Sequence, residues 1–133
     1  MQGAPRRATS QWGDMTTTLL TPQRVVEQLR DLALELDRLV NMLEAADVDS
    51  VTKRHDADIA ESRAFLEAEG SVDARKHTAR LAVANLEEDA LVAEALVRNI
   101  KQRIKAVETR IDVGRSYGAA IRAEMSSIGY TQD

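Results

Sequence analysis

The chain contains no cysteine, which removes disulfides, thiolate metal sites and cysteine nucleophiles together. Aromatic residues are nearly as scarce, at 3% of the sequence. Large rings normally dominate globular cores, so their shortage points to side-by-side packing of helices through Leu, Ile, Val and Ala. No stretch approaches the roughly 18–20 apolar residues needed to span a bilayer. The most apolar run, Ala90 to Val97, is interrupted by Glu94. Arg6 and Arg7 precede no apolar segment of the kind that follows the basic end of a secretory signal, so a cytoplasmic protein is expected. Motifs of catalysis are missing as well. The sequence holds no P-loop, no GxSxG, no HExxH and no dinucleotide-binding glycine fingerprint. His55 and His77 stand apart without partners at metal-ligand spacing, and His55 with Asp56 and Asp58 is better read as a solvated helix face. The carboxylates Glu67, Glu69, Glu87, Glu88 and Asp89 fall on exposed helix surface with no apolar pocket for acid–base work. The expectation is a protein that is not an enzyme and needs no cofactor or metal.

What the chain does have is helical periodicity. Residues 1–20 read as a tail of Gly, Pro, Ser and Thr, with Met15 a plausible start of its own and residues 1–14 an upstream extension expected to be disordered. Thr21-Pro22 is a helix start, with Thr as N-cap and Pro in the first helical position. From there Val25, Leu29, Leu32, Leu36, Leu39 and Leu43 recur at alternating steps of four and three, widened by Val26, Ala33 and Val40. This pattern predicts a first helix over about 22–46. Asp47-Val48-Asp49-Ser50 reads as a break, followed by a weaker helix over about 51–69 that ends at Gly70. Ser71 can cap a third helix, with Asp73 in its first turn.

The third helix, over about 72–128, carries the longest seam: Ala79, Val83, Leu86, Ala90, Ala93, Val97, Ile100, Ile104, Val107, Ile111, Gly114, Gly118, Ile121, Met125 and Ile128. The steps alternate without a slip, and a continuous helix of this kind would run roughly 80 Å at about 1.5 Å per residue. Sustained spacing of this type implies an all-α fold, a long helical hairpin or coiled-coil-like bundle, and an oligomer joined through Val97, Ile100, Ile104, Val107 and Ile111. Residues 21–133 form one helical domain in this reading. Gly114 and Gly118 leave two options: a break within 112–118, or a close crossing of helices that glycine permits.

Charge is divided along the same segment. The protein carries a net charge of −4, so any contact with nucleic acid must come from a local patch. Arg98, Lys101, Arg103, Lys105, Arg110, Arg115 and Arg122 face only Glu108 and Asp112 within their stretch, which is 7 − 2 = +5. From Asp56 to Glu94 there are ten acidic and four basic residues, 4 − 10 = −6. With Ile100 at heptad position d, Lys101, Arg115 and Arg122 take e, as do Glu87 and Glu94 earlier, while Arg103, Arg110 and Tyr117 take g. Two explanations compete. Either two copies run antiparallel and pair acid against base, or the basic stretch grips the phosphates of a single strand, with Tyr117 placed to stack a base.

The C-terminal half, from about Val72 to Met125, resembles the UvsY-type recombination mediators of bacteriophages and, more loosely, small helical proteins of phages of actinobacteria. The likeness is carried by the Gly70-Ser71 break before Arg75, Lys76 and Arg80, by the long aliphatic seam, and by the closing Arg115-Ser116-Tyr117-Gly118-Ala119-Ala120-Ile121-Arg122. The chain has fewer aromatics than that pattern, and its glycine lies three residues beyond the arginine. The resemblance implies a homo-oligomer, ring-like, that binds single-stranded DNA and helps load a recombinase onto strands coated by single-strand-binding protein. It also implies a place in the host-cell cytoplasm and makes Arg75, Lys76, Arg80, Arg115 and Arg122 candidate DNA contacts.

Overall fold

A computed structural model describes residues 21–131, with side chains described as far as Ile128. The chain is all-α: three helices, α1 (Pro22–Glu67), α2 (Val72–Ala82) and α3 (Ala84–Thr131), with no strand among the described residues. None of these helices is long and apolar enough to cross a membrane. The tail expected over 1–20 lies outside the described residues.

Helix α1 starts where its cap dictates. The Thr21 hydroxyl accepts a hydrogen bond from the Arg24 amide at 3.2 Å, and Pro22 occupies the first turn, where its missing N–H leaves nothing unpaired. The helix then runs without interruption to Glu67, through the Asp47–Ser50 segment where a break is predicted. The two helices expected at 22–46 and 51–69 are therefore one. The physical reason is that Asp, Val and Ser are only modestly worse helix formers than Ala, and neither Gly nor Pro occurs from Gln23 to Glu69. Packing decides the case. The row of covered side chains continues past the segment as buried Ala46, half-buried Ser50 and Arg54, and buried Ala57. Its steps there are four, four and three, so one extra phase step sits in the pattern. Lys53 also pairs with Asp49 at 3.1 Å, one turn apart on the surface.

The exit from α1 is a short connection over 68–71. Gly70 takes a φ of +110°, a conformation that a side chain would strain. Ser71 then caps α2, its hydroxyl accepting from the Ala74 amide at 3.2 Å. The expected third helix is divided at Val83, whose backbone leaves the helical region (φ −109°, ψ 12°). It is not divided at 112–118. Helix α3 passes through Gly114 and Gly118, and both are buried. At Gly118 the close-approach reading is the one the fold adopts. A Cβ at position 118 would lie 3.5 Å from Val25 Cγ1, so α1 and α3 meet there with only about a methyl group of space between them.

Two compact units make up the chain, one of the described residues up to Arg38 with those from Ile104 onward, the other Leu39–Arg103. In the first, Val25, Leu32 and Val107 are buried, Leu29, Leu36, Ile104 and Ile111 are half-buried, and Gly118 faces Val25. In the second, the core is Leu39, Ala46, Ala57, Ala79, Val83, Ala90, Ala93, Val97 and Ile100. Five of these nine are alanine, so the helices of this unit can approach closely but bury little apolar area per residue.

The residues expected to join copies of the protein lie on this covered side of α3. Val97, Ile100 and Val107 are buried, and Ile104 and Ile111 half-buried, by the chain's own helices.

Candidate functional site

The strongest polar contact in Leu39–Arg103 is one that the motif reading misses. Because α1 carries its extra phase step, Arg54 arrives on the covered side of the helix. Glu87 and Glu94 stand seven residues, two turns, apart in the same row of α3. Ala90 lies between them in sequence and is completely buried. Arg54 Nη1 donates to Glu87 Oε2 at 2.7 Å and Nη2 donates to Glu94 Oε1 at 2.6 Å. One planar cation thus bridges two carboxylates with parallel charge-assisted hydrogen bonds. The bonds to Glu94 and then Glu87 raise the arginine further above its ordinary value, so it stays charged. Following the α1 row through Asp47–Ser50 would have revealed this residue.

The contact bears on the charged rows of α3. Pairing between two antiparallel copies would need Glu87 and Glu94 as partners for the basic residues in the same helical row. Within the chain both bond to Arg54.

The predicted basic residues fall into two sets. In Leu39–Arg103, Arg75 is half-buried and anchors α2 to the end of α1. Its Nε donates to the Phe65 carbonyl at 3.3 Å, and its guanidinium lies 4.6 Å from the centre of the Phe65 ring. Lys76 is exposed at the rim of a groove of about 510 Å³ lined by Phe65, Leu66 and Ala79. Arg80 lines a neighbouring groove of about 550 Å³ with Arg54, Asp58, Glu61, Glu87 and Glu88. Four carboxylates against two arginines, one of them already bonded to Glu87, make a poor phosphate site. Arg98, Lys101 and Arg103 are exposed.

In the other unit Lys105, Arg115 and Arg122 are exposed, whereas Arg110 and Tyr117 are half-buried and engaged in contacts of their own. Arg115 approaches Asp112 only to 3.9 Å, with both side chains about three-quarters exposed (74% and 77%), an arrangement that contributes little. Half-burial of Tyr117 limits the face it can offer to a base. The structure therefore leaves Arg98, Lys101, Arg103, Lys105, Arg115 and Arg122 as solvent-facing cations of α3, and holds Arg75, Arg110 and Tyr117 in internal contacts.

Among the described residues no three His, Cys, Asp or Glu side chains converge on a point that could hold a metal ion, and His55, Asp56 and Asp58 are each exposed. Compared with known proteins, the chain matches no protein-family model, no curated protein and no solved structure.

Proposed function

We propose that the protein is a non-catalytic accessory of DNA recombination that binds single-stranded DNA and helps load a recombinase, acting in the cytoplasm of a phage-infected cell. The observation that carries this reading is the asymmetry of α3. Its row residues Glu87 and Glu94 are occupied by Arg54, while further along the same row Lys101, Arg115 and Arg122 are exposed, with Glu108 the one acid among them. Exposed cations, the closest approach of a carboxylate being the weak Arg115–Asp112 contact at 3.9 Å, are what a phosphate backbone needs, because each contact releases condensed counterions. The resemblance to UvsY-type mediators supports the same reading and adds the recombinase and single-strand-binding protein as partners. In this proposal the protein works as a coiled-coil-like homo-oligomer, with copies joined through surfaces other than the row closed within the chain.

The test is filter binding of a labelled single-stranded oligonucleotide to the full chain at two salt concentrations. The parent should bind with an affinity that falls steeply as salt rises. The triple variant Lys101→Glu, Arg115→Glu and Arg122→Glu should lose at least tenfold in affinity with its far-ultraviolet circular dichroism unchanged. Binding equal to the parent's would remove the proposal.

A second reading is a structural or protein-interaction factor with no nucleic-acid contact. It is favoured by the large apolar side chains left exposed on the helices, Leu66 and Leu81 above all, at 73% and 79%.

A further inference from the structure

The outward side of α1 in Leu39–Arg103 carries a second apolar stripe. Val48, Val51, Ile59 and Leu66 are 69%, 69%, 38% and 73% exposed. At about 100° per residue they fall within roughly 80° of arc. His55 and Ser62 fill the same line between them. The buried positions Ala46 and Ala57 lie about 180° away on the same cylinder. The helix is thus apolar on two opposite sides, and only one of them is covered. A surface helix with a single buried face would place charge where this stripe runs.

The borders of the stripe are acidic. Asp47 and Asp58 flank it on one side, and Asp49, Asp56 and Glu67 on the other, with Arg63 as the base closest to the line. Two further cations are turned away from the stripe toward single border acids: Lys53 pairs with Asp49 at 3.1 Å, and Arg54, bound chiefly to Glu87 and Glu94, reaches Asp58 only at 3.9 Å. At its far end the stripe reaches Leu66, which also lines the groove formed with Phe65 and Ala79. Stripe-to-stripe pairing of two copies would set five carboxylates against five, so the border disfavours symmetric self-association.

We propose that the outer face of α1 between Val48 and Leu66 is a docking site for a cationic amphipathic helix of another protein. The partner helix carries an apolar row at i, i+3/i+4 and i+7 that lies along the stripe, with Lys or Arg on both sides to meet the acidic borders. Five turns of such a helix, about 27 Å, match the run from Val48 to Leu66. This inference concerns a different surface from the proposed DNA contacts and stands or falls separately from them.

The experiment titrates the full chain into a fluorescent synthetic 18-residue peptide that has a Leu row at that spacing and Lys flanks. A scrambled peptide of identical composition is the control. The ordered peptide should bind at least tenfold more tightly than the scrambled one. The variant Val51→Asp with Leu66→Asp should lose at least tenfold for the ordered peptide while its circular dichroism is unchanged. Because this variant adds negative charge, a loss of affinity for a cationic peptide can come only from the apolar contact. Equal binding of the two peptides, or parent-like binding by the variant, would overturn the proposal. A wild-type chain that dimerises in sedimentation, and reverts to monomer on Val51→Asp, would overturn it too by assigning the stripe to a second copy.

Discussion

In the unit that holds the start of α1 and the end of α3, the covered positions are Val25, Leu32 and Val107, backed by half-buried leucines and isoleucines. In Leu39–Arg103 the same row of α1 offers, beyond Leu39, only Ala46 and Ala57, with a half-buried arginine between them that bridges two glutamates. Side-chain volume holds the first unit together. The second combines close approach over small residues with charge-assisted hydrogen bonds, and volume and charge respond differently to mutation and to salt.

The largest effect should come from removing volume in the first unit. Leu32 is fully buried, so Leu32→Ala should cost about 2–5 kcal/mol in urea unfolding, the usual range for a cavity left in a core. A cost below ~1 kcal/mol would mean that Leu32 is not held in a well-packed site. Adding volume to the alanine-rich unit is next. Ala90→Leu should destabilise by about 1–3 kcal/mol through overpacking and should also disturb Arg54, whose two partners flank this position. Parent-like stability would refute the close approach inferred there.

A smaller and salt-dependent loss is expected for Arg54→Met. Its thermal midpoint should fall below the parent's at low ionic strength, and the gap should narrow as salt screens the parent's half-exposed ion pairs. A gap that stays constant with salt would assign the residue a packing role only. The smallest effect has the opposite sign. Gly118→Ala places its methyl group at ordinary contact distance from Val25 Cγ1, 3.5 Å, while removing a glycine from a helix interior. Stability should rise by up to ~1 kcal/mol, read by differential scanning calorimetry; a loss would show that the two helices are closer than described.

Much of the fold could be read from spacing, because four-and-three periodicity reports which side of a helix is covered whatever covers it. Thr21, Gly70 and Ser71 marked helix ends for local reasons, a hydroxyl acceptor or a positive φ, that operate within a few residues. The misplaced boundaries have tertiary causes. Asp47–Ser50 looked like a break because cap-forming residues cluster there, yet covered neighbours on both sides keep the helix intact. Val83 gave no warning, since a β-branched residue on the seam looks like any other core position. Of the candidate site, the exposure of Lys101, Arg115 and Arg122 followed from their places beside the seam. The capture of Arg75 by Phe65 depended on a contact ten residues away that no spacing rule announces.

The meeting of Gly118 with Val25 ties two distant positions to one allowance of space. Substitutions larger than one added methyl group should be accepted as pairs: further bulk gained at one position must be surrendered at the other, since the gap takes one methyl group and little more. Genetic drift at residue 25 is therefore constrained by residue 118, and a library randomising both together should return viable clones in which the two volumes vary inversely.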